Sequence, residues 1–260
     1  MSTFGLPVRP SKCRKVSSSR FPPSPPAYLS LPVSRPSTFL EARNIGLRLD
    51  ERWLFKNLSF SIPAAAFISL TGPSGVGKTS LLRILYGELS PTEGELSCPL
   101  QKPPSQAMIF QDLQLAEGAA TLTNVLSGSL GRHSSVKTFF GFPQIEKKQG
   151  LALLLQFGLE RKSSQWASTL SRGERQRLAI CRSLLSRPTL LFADEPVASL
   201  DSEWADKTLS TLHDSQIKTG GSIVCSLHDE LQVQQFSNYI LRLNPTDPSS
   251  WSWEEPNPIS

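Results

Sequence analysis

The stretch of this sequence best suited to chemistry is GPSGVGKT, which a second hydroxyl residue follows. It has the spacing G-x-x-x-x-G-K-[ST] between an apolar segment and a helix-like segment, the setting in which this motif binds nucleotide phosphates. Inward-pointing backbone N–H groups and the helix N-terminus favour an anion there. The candidate binding residues are Gly72, Pro73, Ser74, Gly75, Val76, Gly77, Lys78, Thr79 and Ser80. We expect Lys78 to reach the β- and γ-phosphates and Thr79 to ligate Mg²⁺; the alternative is a glycine-rich turn that binds nothing.

A pair of acids, Asp194 and Glu195, ends a second short apolar segment, LLFA. A buried strand that delivers a carboxylate beside the loop lysine is the second half of such a nucleotide site. We expect Asp194 to hold Mg²⁺ through water, and Glu195 to polarise the attacking water. The alternative is an acidic pair that caps the helix after the strand.

Four further motifs contain polar residues that could serve the same site. LSRGERQR begins like a helix capped by Ser171, with Glu174 completing a capping box, and such a helix start can also bind an anion. Taken one at a time, the polar residues of the other three motifs also have ordinary structural interpretations that involve no ligand. Gln111 in IFQD is a surface amide, Asp201 in SLD is an acid at a helix N-terminus, and His228 in SLHD caps the next segment.

The apolar patterns around these residues predict an α/β fold. Period-two alternation predicts antiparallel strands, short apolar runs predict buried strands, and i, i+3, i+4 spacing predicts helices. The predicted strands are 39–49, 54–62, 67–71, 190–193 and 222–226, and the predicted helices are 78–86, 151–157 and 174–185. Because strands and helices alternate, we expect a layer of parallel strands covered by helices.

The two ends of the 260-residue chain differ in composition from its body. Residues 1–38 contain eight of the 21 prolines, and residues 1–40 contain six of the 27 basic residues and no acidic residue. We predict a disordered basic tail over 1–38, with a transit peptide and a wrongly assigned start as the alternatives, and a second tail over 244–260. The chain after residue 40 has a net charge of −1, which argues against a broad basic surface for nucleic acid.

The cysteines and the apolar runs exclude two further classes. The cysteines are widely spaced and form no C-x-x-C pair, so we expect neither a disulfide framework nor a zinc site. They are Cys13, Cys98, Cys181 and Cys225. No run of 18 apolar residues is present, so we expect any role at a membrane to come through a partner.

LSRGERQR, ahead of the acidic pair, resembles the signature motif of ABC-type ATPases. Gln111, Asp201 and His228 stand where that family has its Q-loop, its D-loop and its switch histidine. The resemblance covers about residues 39–243. It implies an α/β P-loop NTPase fold, made of an ABC-type ATPase core with an antiparallel β-subdomain and a helical subdomain over about 112–172.

The resemblance also implies ATP and Mg²⁺ as cofactors, and two copies of the chain paired head to tail around two ATP molecules. One copy supplies GPSGVGKT with Glu195 and His228 as catalytic residues, and the other supplies its signature to the γ-phosphate. The implied nucleotide-binding residues outside the loop are Gln111, Ser171, Gly173, Glu174 and Asp201, and the implied metal ligands are Thr79, Gln111 and Asp194. ADP leaves the signature donors unmatched, so closure depends on ATP.

The signature departs from the family's usual LSGGQ at two positions. Arg172 replaces the first glycine and adds charge beside a phosphate site, and Glu174 replaces the glutamine. Glu174 places an acid near the γ-phosphate unless it points away or pairs with Arg175 or Arg177.

Two other stretches differ from the family pattern. The family stacks adenine on an aromatic residue near the position of Leu49, where no tyrosine stands, and Trp53 is the nearest substitute. The stretch over 94–111 is short, so we expect a trimmed β-subdomain there.

Three motifs, NVLSGSLGR, ADEPVASLD and SLH, look like the ATP-binding subunit of bacterial phosphonate importers, a family that includes phosphite carriers. That resemblance implies two transmembrane permease subunits, a periplasmic substrate-binding protein reached through them, and a peripheral place at the cytoplasmic face of the inner membrane. It implies no nucleic acid. NVLSGSLGR is expected to face the permease; the alternative is a packed helix with a glycine-containing stop. The competing functions are the ATPase subunit of another ABC importer or exporter, and a soluble ABC ATPase outside transport.

Overall fold

The computed structural model describes residues 38–100, 105–133 and 141–255. The strands in chain order are β1 (Thr38–Leu49), β2 (Arg52–Pro63), β3 (Phe67–Thr71), β4 (Glu93–Ser97), β5 (Gln106–Ile109), β6 (Leu190–Ala193), β7 (Ser222–Ser226), β8 (Tyr239–Leu243) and β9 (Trp251–Glu254). The helices are α1 (Lys78–Tyr86), α2 (Thr121–Ser127), α3 (Gln144–Gln156), α4 (Arg172–Leu185), α5 (Ser202–Ile217) and α6 (Glu230–Phe236).

The central sheet has the strand order β5-β6-β7-β3-β8-β9, and all its pairings are parallel except that of β9. Parallel strands present their carboxyl ends at one edge of a sheet, where ligands of open α/β sheets bind. Three neighbouring strands, β6, β7 and β3, therefore deliver the acidic pair, the SLHD segment and the glycine-rich loop to the same edge. The predicted parallel layer is confirmed.

Burial of the central sheet on both faces explains why its strands are short apolar runs. In β6, Leu190 and Phe192 point into one core, while Leu191 and Ala193 point into the other. The core that contains Leu190 and Phe192 also contains apolar residues of the antiparallel sheet and α1. The core that contains Leu191 and Ala193 also contains apolar residues of α2, α3 and α4. One strand thus anchors both layers.

The second sheet is antiparallel, with the order β2-β1-β4. Its first two strands match the segments predicted at 39–49 and 54–62. The predicted tail over 1–38 lies outside the described residues except for Thr38, which pairs with Pro63 at the start of β1.

The described residues between β5 and β6 include three helices. There α2, α3 and α4 pack on one another, and short 3₁₀ turns lie at Leu130–Arg132, Glu160–Lys162 and Ala167–Thr169. Helix α3 begins seven residues before the predicted 151–157 segment, because its first two turns, QIEKKQG, are mostly polar and carry no apolar periodicity. Glu146 in this stretch is nevertheless buried, where it accepts from Arg132 at 2.7 Å.

The prediction of a tail over 244–260 is wrong for its described part. β9 pairs antiparallel with β8, and the Lys56 N–H donates to the Pro248 carbonyl at 2.7 Å. Trp253 stacks between Phe60 and Tyr239, with ring centroids 5.4 and 5.2 Å away. The high proportion of prolines in this segment predicted a disordered tail. Burial of the Trp253 ring instead stabilises an ordered strand.

The stacked tryptophan gives a stability prediction. We expect Trp253→Ala to lower the free energy of unfolding by about 2 kcal/mol, because a half-buried aromatic residue loses both packing and ring contacts. Trp166→Ala is the matched control, since Trp166 is 61% exposed, and it should change stability by no more than about 0.5 kcal/mol. Chemical denaturation of the full chain measures both; equal effects would contradict the packing of β9.

The described residues can be assessed for membrane-crossing helices and for the state of their cysteines. Over 38–100, 105–133 and 141–255, no helix combines the length and apolarity that crossing a bilayer requires. Cys98, Cys181 and Cys225 are free thiols, and Cys13 lies outside the described residues. Burial raises the pKa of the Cys225 thiol well above its ordinary value, so it stays protonated.

Candidate functional site

The glycine-rich loop joins β3 to α1 at the carboxyl edge of the central sheet. Gly77, which precedes α1, has φ 110°, and a Cβ there would meet Leu54 and the Phe55 ring at 3.2 Å. A glycine is required at this position because the backbone is left-handed and the antiparallel sheet packs against it. Residues 73–75 form the exposed tip of the loop, while Thr79 and Ser80 are half-buried in the first turn of α1.

Lys78 folds back over the loop. Its Nζ donates to the carbonyls of Gly72 at 2.7 Å and Pro73 at 3.1 Å, and the residue is only 6% exposed. Burial lowers the pKa of Lys78, and the charges of Glu195 and Asp194 act in the opposite direction. A cation is therefore held where the inward N–H groups of the loop would receive phosphate oxygens.

Asp194 comes directly after β6 and is 1% exposed. Its Oδ1 accepts from the Ser226 hydroxyl at 2.8 Å, whereas its Oδ2 is buried with no hydrogen-bond partner. A buried carboxylate oxygen without a partner is destabilising unless a cation or a donor meets it.

The three candidate metal ligands, Thr79, Gln111 and Asp194, line one cavity of about 320 Å³. Hydroxyl, amide and carboxylate oxygens suit Mg²⁺, which keeps several waters of its own. The donor set and the free Oδ2 thus fit a hydrated Mg²⁺. Arg172 lines the same cavity, so this signature residue faces the site of its own chain.

Glu195 and His228 meet at the ends of β6 and β7. The Glu195 Oε1 lies 2.7 Å from the His228 Nε2, and both side chains retain solvent access at 25% and 45% exposure. Glu195 has φ 48°, a left-handed conformation that is strained for a residue with a side chain. A carboxylate held by an imidazole, next to Asp194 in the chain, can polarise a water molecule.

Ser226 also belongs to this edge, although the sequence singled it out only as part of the SLH motif. It ends β7, is fully buried, and contacts both Asp194 and the Glu195 backbone. A polar residue at the carboxyl end of a mainly apolar strand was the available signal.

The signature helix α4 begins with the predicted capping box. The Glu174 N–H donates to the Ser171 Oγ at 3.3 Å, and the Ser171 N–H donates to the Glu174 Oε2 at 3.0 Å. Gly173 packs on the D-loop, since a Cβ there would meet the Ser199 carbonyl at 3.1 Å. Asp201 caps α5 by accepting from the Trp204 N–H at 2.9 Å. Ser171 and Asp201 therefore both lie at helix N-termini and cap them, and both side chains remain exposed.

Glu174 pairs with neither Arg175 nor Arg177. Its Oε1 lies 2.6 Å from the Lys162 Nζ, a residue twelve positions upstream. Arg175 instead pairs with Glu117 at 3.3 Å, and Arg177 lies over the Trp204 ring at 4.0 Å. Glu174 is thus bound to its own subdomain rather than left as a free acid at the helix start.

This arrangement predicts a pH effect on stability. The hydrogen bond from Lys162 lowers the pKa of Glu174 below its ordinary 4.5. The stabilisation is therefore present above pH 4.5 and is lost as the pH falls through the folded-state pKa. We expect Glu174→Gln to lower the free energy of unfolding by about 1 kcal/mol at pH 7 and by less at lower pH.

Denaturation at a series of pH values measures this difference. The control is Glu117→Gln, because Glu117 is an exposed member of a surface pair, whose removal has little effect. A Glu174→Gln deficit that grows towards acid pH would contradict the pairing.

The NVLSGSLGR segment packs rather than standing free. The Asn124 amide accepts from the Ala116 N–H at 2.9 Å and donates to the Ala116 carbonyl at 3.0 Å. A Cβ on Gly128 would meet the Arg182 carbonyl at 2.0 Å, so α2 ends directly against α4. These contacts favour the packed-helix alternative for most of the segment; Leu130 remains 46% exposed.

A second cavity, also of about 320 Å³, lies beside the glycine-rich loop. It is lined by Glu51, Arg52, Trp53, Leu54, Val76, Pro245, Thr246 and Pro248. Trp53 and Val76 of the loop therefore line the same cavity, and Lys56 Nζ lies 4.4 Å over the Trp53 ring. Leu49 is 49% exposed and is not part of this wall.

Residues 55–198 match a protein family described as ABC transporter. The chain belongs to the ABC transporter family. The predicted fold class and the predicted class of enzyme, an ABC-type ATP hydrolase, are confirmed.

Among curated proteins, this ABC ATPase is 33% identical to the phosphonates import ATP-binding protein PhnC of Maricaulis maris, over 79% of this chain and 84% of that one. It is also 33% identical to the phosphite import ATP-binding protein PxtA of Stutzerimonas stutzeri, over 72% of each. Among solved structures, it resembles the dimeric post-hydrolysis state of the ATP-binding cassette MJ0796 bound to ADP and Pi. That likeness has a TM-score of 0.73 and 25% identity, over 84% of this chain and 99% of that one.

Proposed function

We propose that this chain is the ATP-hydrolysing subunit that energises an ABC importer for phosphonates or phosphite across the inner membrane. The observation that carries the ATPase part is the acidic pair beside Lys78: a buried Asp194 with one free oxygen, and a Glu195 held by His228. The oxyanion part rests on similarity to relatives named as phosphonate and phosphite import subunits.

Each residue of the edge has one task in this proposal. Lys78 and the loop N–H groups hold the β- and γ-phosphates, and Thr79, Gln111 and Asp194 hold the hydrated Mg²⁺ that offsets phosphate charge. Glu195 accepts a hydrogen bond from the attacking water, whose oxygen adds to the γ-phosphorus as the bond to the ADP oxygen breaks. His228 keeps the Glu195 carboxylate turned towards that water.

A second copy of the chain completes the site. Ser171 is exposed and caps a 14-residue helix, so its hydroxyl proton and the N–H groups ahead of Glu174 are available to phosphate oxygens. We propose that Ser171 and Gly173 of one copy meet the γ-phosphate held by Lys78 of the other. The dimeric solved structures of the similar cassette MJ0796 support this arrangement.

Two transmembrane permease subunits are the further partners that we propose, with a periplasmic substrate-binding protein reached through them. The chain would then be peripheral, on the cytoplasmic face of the inner membrane. Support comes from the importer names of the relatives and from the lack of a membrane-crossing helix within the part of the chain that the structure describes.

Growth on a single phosphorus source tests the transported class. Deletion of this gene should abolish growth on a phosphonate or on phosphite and leave growth on phosphate unchanged. The wild-type gene should restore growth, and Glu195→Gln should not. Unchanged growth on both phosphonate and phosphite after deletion would overturn the oxyanion proposal, and rescue by Glu195→Gln would overturn the ATPase role.

A further inference from the structure

One buried hydroxyl, that of Ser226, contacts both members of the acidic pair. Ser226 is the last residue of β7, and its side chain is fully buried against β6. It donates to the Asp194 Oδ1 at 2.8 Å and accepts from the Glu195 N–H at 2.7 Å. A serine hydroxyl has one proton to donate, and this one is used on the carboxylate.

The first contact sets the orientation of the Asp194 carboxylate. With Oδ1 engaged by Ser226, Oδ2 is the oxygen left without a protein partner, and Asp194 lines the cavity shared with Thr79 and Gln111. Hydrogen bonds to the oxygen that does not bind metal orient metal-binding carboxylates in general. Ser226 therefore decides which Asp194 oxygen is free.

The second contact holds the backbone from which Glu195 projects. Glu195 has φ 48°, a strained conformation that persists only where surrounding contacts fix it. The Glu195 N–H is fixed by Ser226, and the Glu195 Oε1 lies 2.7 Å from the His228 Nε2. His228 is two residues after Ser226 in the chain. The Ser226 side chain thus links the Asp194 carboxylate to the Glu195 backbone, at the start of the segment that carries His228.

We propose that Ser226 is a positioning residue, which turns Asp194 Oδ2 towards the metal and fixes Glu195 relative to it. The inference rests on the roles proposed above for Asp194 and Glu195. Ser226 itself touches neither nucleotide nor metal. Its removal leaves the buried Asp194 Oδ1 and the Glu195 N–H unpaired, so the Asp194 carboxylate is free to turn and the Glu195 backbone loses a fixed contact.

A matched control stands on the same strand. Ser222 begins β7, is also fully buried, and also makes one donor and one acceptor hydrogen bond, to the Pro63 carbonyl at 2.6 Å and from the Ala66 N–H at 3.2 Å. It lies at the opposite end of the strand from the acidic pair. Ser222→Ala therefore reproduces the loss of a buried hydroxyl in β7 without touching the site.

The measurement is the ratio of ATP affinities with saturating Mg²⁺ and with EDTA, obtained by displacement of a fluorescent ATP analogue from the full-length chain. We expect Ser226→Ala to reduce this ratio about 10- to 100-fold, as loss of an orienting contact does elsewhere, with unchanged affinity in EDTA. ATP turnover should fall as well. Ser222→Ala should lower the melting temperature but keep the wild-type ratio.

A second variant keeps the test decisive if Ser226→Ala fails to fold. Ser226→Cys keeps the shape of the side chain with a somewhat larger atom, in a thiol that is a weak donor and acceptor, so it should also lose the Mg²⁺-dependent gain. A wild-type ratio in Ser226→Cys, or equal ratios in Ser226→Ala and Ser222→Ala, would overturn the inference.

Asp194→Asn in the same series distinguishes failure of the proposed metal site from failure of the role proposed for Ser226. If the wild-type chain shows no Mg²⁺-dependent gain, or Asp194→Asn retains it, the proposed site itself is wrong. If Asp194→Asn loses the gain while both Ser226 variants keep it, the site stands and only the role of Ser226 is wrong.

Discussion

We expect the Glu195→Gln variant to bind ATP with wild-type affinity and to hydrolyse it about 10²- to 10⁴-fold more slowly. The amide keeps the shape of the side chain, and its oxygen can still accept a hydrogen bond from His228, 2.7 Å away. Only the basic carboxylate that polarises the water is removed, and general-base contributions have this magnitude. Steady-state phosphate release and equilibrium binding of ATP measure the two effects.

The control for this change is Glu95→Gln, since Glu95 is an exposed glutamate on β4, 3.7 Å from Arg43. It should hydrolyse ATP at the wild-type rate. A Glu195→Gln variant that turns over ATP at that rate would contradict the role given to Glu195, whereas loss of ATP binding would place Glu195 in the binding of nucleotide instead.

The largest expected effect on binding is that of Lys78→Ala. Lys78 is a buried cation at the mouth of the loop, and loss of a charge-assisted hydrogen bond to phosphate costs about 1.5–3 kcal/mol. We therefore expect ATP affinity to fall about 10- to 150-fold. Displacement of a fluorescent ATP analogue measures the change, and the melting temperature without nucleotide reports whether the loop remains folded.

Lys207→Ala is the matched control for the lysine. Lys207 is exposed on α5, where its Nζ lies 4.4 Å over the Trp204 ring, and it is not part of the loop. Its removal should leave ATP affinity unchanged. If Lys78→Ala keeps wild-type affinity, the glycine-rich loop is not the phosphate site.

Features set by short-range patterns could be predicted from the sequence. Helix α1 matches its predicted bounds, 78–86, because glycines mark both of its ends. Gly77 and Gly87 adopt left-handed conformations at its two caps. The capping box of α4 is likewise local, since Ser171 and Glu174 are three residues apart.

Features set by contacts between distant segments could not be predicted from the sequence. The partner of Glu174 is Lys162, which a chain reversal brings back to the helix start, while its near neighbour Arg177 turns away to Trp204. Likewise, β9 is fixed by stacking of Trp253 on rings from β2 and β8. The alternating tryptophans at 251 and 253 were the available signal, and the nearby prolines hid it.

The role of Ser226 depends on sheet order. Its contact with Asp194 requires that β7 lie next to β6, and sequence order alone does not place two strands side by side. The motifs identify residues that lie at one edge of the sheet, but the hydroxyl that joins the Asp194 carboxylate to the Glu195 backbone is apparent only from the fold.

The central claim is that the nucleotide site is shared between two copies of the chain. Cysteines at Ser74 and Ser171 test it in a Glu195→Gln background, with Cys13 and Cys98 changed to serine. Ser74 lies at the exposed tip of the loop and Ser171 at the exposed start of α4, while Cys181 and Cys225 are buried. Crosslinking with and without ATP and Mg²⁺ is the measurement.

We predict a disulfide between chains when ATP and Mg²⁺ are present, little without nucleotide, and little with ADP. Mixing chains that carry only Ser74→Cys with chains that carry only Ser171→Cys should give a heterodimer joined by the same disulfide. Linkage within one chain, or equal linkage between chains without ATP, would contradict the shared site.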